Sequence, residues 1–368
     1  MISFSDHSID YHKSKKENLF RVDFKFVKSM LLPLFLMYGG MHCSISQPIP
    51  KIYTAFKIDQ ELLIDGNENE VAWQFIPWSD NFIDIEGVKA PKYNTKVKMA
   101  WNDTYFYLLA KLEEQHVWGD LKKKDTVIFY NNDFEVFIDP DGDTHNYYEL
   151  EINALNTAWD LFLTKPYRNG GKVLDSWDIQ GLKSAIKIEG TLNDPSDEDK
   201  GWSIEIAIPW VAITEASNSN KAPANHFWRI NFSRVNWDFD ISDKNYSRKK
   251  DAAGKYMPEY NWVWSPQEVI NMHEPERWGY VYFSDELSSS GFQFELPRDE
   301  KLKWKLYEQY RKLHEDLNYE IPDKFVNDDT SISLNLEKHL LGWNLWVLSP
   351  YTNKKLIISK DGKFNSIK

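Results

Sequence analysis

The chain has 368 residues, 42% of them hydrophobic, and carries Lys+Arg 44 against Asp+Glu 56 for a net charge of −12. That length suits one large domain with an appendage and a sizeable core, while the acidic balance argues against nucleic acid or anionic lipid as a partner, since no basic surplus exists to release counterions. Trp 16, Tyr 19 and Phe 21 make an aromatic share of 15%, and such rings serve as core filler or as stacking platforms for sugars.

Arg21, Lys25 and Lys28 precede the apolar run MLLPLFLMYGGM, residues 30–41. It is too short to span a membrane and fits the core of a signal peptide. With Ser44 and Ser46 as small residues before Gln47, residues 1–46 read as an export signal, so the mature chain is expected to be secreted, periplasmic or at the cell surface. A lipid anchor on Cys43 is the rival, weakened by the bulky His42 before it. Cys43 is the only cysteine, so the mature chain has no disulfide. Residues 1–46 carry six Lys/Arg and four Asp/Glu, and their removal takes the charge from −12 to −14.

From Ile52 to Phe283 short alternating or aromatic runs follow one another, divided by Gly, Pro, Asn and Asp: KVKMAW, YFYLLAKLEE, TVIFY, FEVFID, YYELEIN, AWDLFLT, SAIKIEG, WSIEIAIPW, WRINFSRVNW and WGYVYF. Tight turns in place of crossover helices predict an all-β fold, an antiparallel β-sandwich over residues 47–285. A polar linker (286–298) leads to a tail (299–368). In the tail Leu302, Leu306, Tyr310, Leu313 and Leu317 recur at helical spacing, with Asp299 and Glu300 at the positive end of the dipole. WNLWVLSPYTNKKLIISKDGKF then reads as a β-hairpin, so the extension is a helix plus hairpin that either packs on the sandwich or stands as a mini-domain.

DFEVFIDPDGDTHNYYELEIN, residues 133–153, carries the chemistry. At period two, Phe134, Val136 and Ile138 share one face of the first arm, and Glu135, Phe137 and Asp139 share the other. After the turn Pro140-Asp141-Gly142-Asp143, Tyr148, Leu150 and Ile152 oppose Tyr147, Glu149, Glu151 and Asn153. A register symmetric about the turn places Glu135 opposite Glu151. Like charges in that position destabilise a sheet by roughly 0.2–1 kcal/mol, which calls for a cation or hydroxyl groups as compensation. Solvated acids on an outer sheet face are the commonest alternative. Asp139, Asp141 and Asp143 alternate as in a calcium loop but lack the distal glutamate of an EF-hand, Leu150 standing there. Trp73, Trp101, Trp202, Trp210 and Trp278 sit in strand motifs and are expected in the core, whereas Trp118, Trp159, Trp177 and Trp237 lie at strand ends or in polar loops and are candidate sugar platforms.

IDGNENEVAWQ (64–74), KVKMAWNDTYFYLLAKLEE, NDFEVFIDP, WSIEIAIPW and RWGYVYF, in that order, resemble the family 9 carbohydrate-binding modules and their bacterial relatives over residues 58–283. The resemblance implies a β-sandwich outside the cytoplasm that binds an oligo- or polysaccharide in an aromatic-flanked polar cleft, with structural calcium. It implies sugar contacts for Glu135, Glu151 and Asn153, and a stacking role for the position held here by Phe129 or Tyr130. The chain departs from the family where two tryptophans clasp the sugar: Phe129 or Tyr130 occupies one place and Met272 falls near the other. The expected function is non-catalytic glycan binding, with Phe129, Glu135, Glu151, Asn153, Trp159, Trp177 and Trp237 as the candidate site and Asp139, Asp141 and Asp143 as the candidate metal loop. A glycoside hydrolase using Glu135 and Glu151 is the alternative, because retaining enzymes need two carboxyls about 5–5.5 Å apart. A haem module would need axial ligands such as Met99 and His145, and their spacing does not recommend them.

Overall fold

A computed structural model describes residues 50–217, 219–316 and 318–368. The expected export signal, Cys43 and Leu317 lie outside these residues. The described residues form one compact unit. Among the described residues no helix is long and apolar enough to cross a membrane.

The strands of the sandwich run β1 Ile52–Lys57, β2 Ile83–Asp84, β3 Thr95–Trp101, β4 Tyr105–Glu113, β5 Asp133–Asp139, β6 Tyr147–Asn153, β7 Ala158–Leu163, β8 Val173–Leu174, β9 Lys183–Glu189, β10 Gly201–Pro209, β11 Phe227–Asn236, β12 Phe239–Ser242, β13 Asn245–Arg248, β14 Tyr260–Val263 and β15 Gly279–Ser284. Hydrogen bonding links thirteen of them in the order β8-β7-β6-β5-β11-β15-β1-β3-β4-β10-β9, with β14 joining β11 to β2, while β12 and β13 pair as a separate hairpin. β11 is the corner: its first half pairs with β15 and its second half with β14, while β5 runs along its other edge. The pairing is antiparallel except at β1, which lies parallel to both β15 and β3.

The period-two reading of the β5–β6 hairpin holds residue by residue. Phe134, Val136, Ile138, Tyr148, Leu150 and Ile152 meet Val97, Met99, Leu108, Ala110, Ile204 and Ile206 in the main core. All five tryptophans expected inside are buried. The segment Thr126–Tyr130 is not the strand expected: Ile128–Tyr130 forms a single 3-10 turn, with the Phe129 N–H aimed at the Glu151 side chain. Loop chemistry overrides β propensity there.

The opening motif Asp65-Gly66…Trp73 has a structural explanation on β10. Glu205 Oε2 accepts hydrogen bonds from the Asp65 and Gly66 backbone N–H groups at 2.9 and 3.1 Å, and Oε1 accepts one from Trp73 Nε1 at 2.9 Å. Gly66 has φ +82°, and a Cβ there would lie 2.8 Å from the Lys187 backbone nitrogen on β9. Only a residue without a side chain lets this loop lie against the sheet.

In the tail, one helix spans Arg298–Glu315. Leu302, Leu306, Tyr310 and Leu313 pack on Leu345, Val347, Leu356 and Ile358. The hairpin expected from sequence is the centre of a four-stranded meander, Asn335–His339, Gly342–Leu348, Lys355–Ser359 and Phe364–Ile367, accompanied by a hairpin of Lys324–Asn327 and Thr330–Ser333. This small core is tied to the sandwich. Arg311 Nε donates to Glu276 Oε1 at 2.6 Å, the Tyr280 hydroxyl to Glu300 Oε2 at 2.8 Å, and the Phe364 N–H to the Asp143 carbonyl at 3.1 Å.

Candidate functional site

The register across the β5–β6 hairpin pairs Glu135 with Glu151 and Phe137 with Glu149. β7 continues the face by setting Trp159 opposite Glu151, and β11 adds Ser233 opposite Glu135. Directly opposed residues of antiparallel strands project to the same side. One face of the sheet therefore gathers Asp133, Glu135, Glu149 and Glu151 between two apolar patches. On one side lie Phe137, Leu161, Val263, Met272 and Trp278, with Trp159 at the margin. On the other lie Trp118, Val235 and Trp237, with Phe129 against them.

The face is not a solvated sheet exterior. Glu135 and Glu149 are 5% exposed, Glu151 is 3% and Asp133 is 0%. Burial lifts Glu135 to about 7. It pushes Asp133, Glu149 and Glu151 well above the carboxylate range, and the neighbouring acids push in the same direction. All four shifts share one sign, and burial is the largest cause of each. His273 adds no positive charge. Its Nε2 is 3.9 Å from Glu149 Oε1, but burial lowers it to about 3, and Nδ1 lies 2.8 Å from the Tyr147 hydroxyl.

The candidate residues separate into three groups. Glu135, Glu151, Trp159 and Phe129 adjoin one another: Trp159 and Phe129 are half-buried, and the Phe129 N–H donates to Glu151 Oε2 at 2.9 Å. Asn153 shares the face, but its amide is used within the chain. Nδ2 donates to the Leu121 carbonyl at 2.8 Å, and Oδ1 accepts from the Leu155 and Thr157 N–H groups at 3.0 Å each. It fastens two loops and leaves no group free for a sugar. Trp237 is buried, with its indole N–H on the Phe129 carbonyl at 2.7 Å, so it supports the wall of the face instead of offering a platform. Trp177 lies on the opposite side of the sheet, packed on Tyr148 with ring centroids 4.8 Å apart, and covers the main core.

Asp139, Asp141 and Asp143 do come together. Their charge is already answered from within the chain. Asp139 accepts from Gly142 N–H at 3.0 Å and Thr144 N–H at 2.9 Å, Asp143 pairs with Lys363 at 3.0 Å, and Lys303 reaches the Gly142 carbonyl beside them. Lys363 on Asp143 and Lys303 on the Gly142 carbonyl bring two positive charges to the turn, which lowers the need of the expected calcium loop for an ion. For the haem alternative, Met99 is in the main core, while His145 faces the tail's Asp361 at 3.4 Å.

Sequence reasoning passed over Asp133, Ser233, Tyr167 and His273. Asp133 was legible, since it shares parity with Glu135. Tyr167 is 46% exposed and its ring stands 4.4 Å from that of His273 at the edge of the face.

The family profile described as carbohydrate family 9 binding domain-like matches residues 64–283, which include every strand of this face. The chain belongs to that family. Among curated proteins, it is 26% identical over 159 residues to endo-1,4-beta-xylanase A of Thermoanaerobacterium saccharolyticum, covering 43% of this chain and 12% of the enzyme. It is 28% identical over 153 residues to exoglucanase XynX of Acetivibrio thermocellus, covering 42% of this chain and 11% of that protein. The match thus spans a small fraction of either relative's length. Among solved structures, a carbohydrate-binding module of family 9 from Caldicellulosiruptor kristjanssonii, in complex with cellotriose, aligns with a TM-score of 0.43 and 15% identity over 67% of this chain and 100% of that one. Family 9 domains are binding modules, and binding of saccharide is the activity that membership supports.

Proposed function

We propose that the chain is an extracytoplasmic, non-catalytic glycan-binding protein whose ligand sits at the rim of the carboxylate face, between Phe129 and Trp159, with hydroxyl groups reaching Glu135 and Glu151. The observation that carries this reading is the pairing of Glu135 with Glu151 inside the family domain, flanked by half-buried rings. Aromatic rings cover the apolar C–H faces of a sugar and carboxylates accept its hydroxyl protons. The basic leader and apolar run of residues 21–41 support export.

A glycan array identifies the ligand, and isothermal titration with Glu135→Gln tests the site. Loss of charge-assisted hydrogen bonds should weaken binding by about 1.5–3 kcal/mol, and no reducing sugar should be released from the bound glycan. Unchanged affinity in Glu135→Gln would remove Glu135 from the binding role. Steady hydrolysis abolished by the same substitution would replace this reading with the glycosidase.

A further inference from the structure

We propose that Asp133, Glu135 and Glu151 hold a divalent cation of the hard, oxygen-seeking class, calcium in preference to magnesium, at the floor of the carboxylate face. Among the described residues four groups of acids come close enough to share an ion, and comparing how each is neutralised isolates this one. Asp125, Asp160 and Asp178 surround Lys124, which pairs with all three. Asp139, Asp141 and Asp143 have Lys363 and Lys303. In the group of Asp65, Glu70 and Glu205, the buried Glu205 accepts three N–H donors. For Asp133, Glu135 and Glu151, no Lys, Arg or His forms an ion pair with any member among the described residues, although all three are buried.

Two further atoms in the same place also lack partners. The Ser233 hydroxyl is fully buried, stands opposite Glu135 in the register, and makes no hydrogen bond; Asp133 Oδ2 likewise has no donor. Buried polar atoms without partners are rare, because each costs roughly 1–3 kcal/mol. A proton shared between two of the acids would relieve part of the repulsion yet leave the third acid and the hydroxyl unmatched. A cation engages all of them. One carboxylate oxygen from each acid lies within 4.8 Å of the others, about the span of two oxygens on opposite sides of a calcium ion with bonds of about 2.3–2.6 Å. The donors are all oxygen, which selects against zinc and copper. Magnesium demands a near-ideal octahedron and keeps its waters, whereas calcium accepts an irregular shell supplied by the protein.

The cation site lies on the face assigned above to glycan but stands without that assignment. Its test is calcium chloride titrated into chelator-stripped chain, by calorimetry and by terbium luminescence sensitised through Trp159. Wild type should take up one ion at this site with a rise in Tm. Glu151→Gln should weaken binding roughly tenfold or more through loss of ligand charge, and Ser233→Ala, which removes no charge and serves if Glu151→Gln does not fold, should weaken it measurably. Asp141→Asn should leave it unchanged. No heat, luminescence or Tm shift in wild type would overturn the inference, as would binding lost in Asp141→Asn but kept in Glu151→Gln. Glycan bound by chelated protein that takes up no calcium overturns the cation site and spares the glycan reading. Calcium bound in the absence of any glycan ligand does the reverse.

Discussion

Gly66→Ala tests whether the Asp-Gly…Trp opening is a structural clamp, and its cost can be worked from the structure. An L-residue held at φ +82° carries about 1–2 kcal/mol of left-handed strain. The added Cβ would also stand 2.8 Å from the Lys187 nitrogen and 2.9 Å from the Ile186 carbonyl carbon, both backbone atoms that cannot rotate away. Either β9 shifts, or the turn swings outward and stretches the two N–H bonds that Asp65 and Gly66 give to Glu205. Hydrogen bonds to a charged group contribute about 1.5–3 kcal/mol each, so even partial loss brings the total to roughly 2–5 kcal/mol. Urea unfolding followed by tryptophan fluorescence at pH 8 measures it. Glycan affinity of the folded fraction should be unchanged, because the clamp lies on β9 and β10 and the acid face on β5 and β6. A loss below about 0.5 kcal/mol, the range of neutral surface substitutions, would refute the clamp.

Burial lifts Glu205 to about 7 against the pull of its three hydrogen bonds. Both states are protonated at low pH, so its favourable contribution is complete below the unfolded value near 4.5 and is lost as pH rises through 7. Wild type should therefore lose about 2 kcal/mol more than Glu205→Gln between pH 5 and pH 8, and parallel pH profiles in urea unfolding would count against it. Trp177→Ala should lower stability by about 1–3 kcal/mol, because a half-buried ring is removed from Tyr148 and Phe162, and leave glycan affinity intact; Trp159→Ala should do the opposite, and calorimetry beside thermal melts separates them. Lys303→Met should destabilise the chain by roughly 3–5 kcal/mol by leaving the Asp139–Asp143 turn short of a cation; full rescue of its Tm by calcium would show that the turn is a metal loop after all.

What could be read from the sequence followed the range of each signal. The hairpin's two faces and its register are local: period-two alternation and a turn of known length settle both within 21 residues, and Glu135 stands opposite Glu151 as expected. Trp159 was reachable by carrying the same parity onto β7. Trp177 was not, because a loop intervenes and parity is lost there. Ser233 lies almost a hundred residues from Glu135, and only the pairing of β5 with β11 brings them together. Asn153 looked like a ligand because an amide beside two acids fits a sugar equally well. Its commitment to Leu121, Leu155 and Thr157 depends on where two loops close. The parallel pairing of β1 with β15 leaves no local mark in either strand.

The two ends of the β5–β6 hairpin show how one acidic sequence can serve two purposes. At the turn, Asp139 and Asp143 resemble metal ligands in sequence, yet the tail delivers Lys303 from its helix and Lys363 from the loop before Phe364–Ile367. The Phe364 N–H on the Asp143 carbonyl and the Thr144 hydroxyl on the Gly362 carbonyl complete the joint. These ammonium groups come with their own chain entropy already lost in folding the tail, so they neutralise the turn at every ion concentration. At the strand end, Asp133, Glu135 and Glu151 receive no such group, and their charge is left to whatever enters from solvent. A fold that sets lysines against two of its other acid groups and N–H donors against the third, but neither cation nor such a donor set here, holds its repulsion where a ligand relieves it. The tail secures one end of the hairpin, and the other end is left to respond.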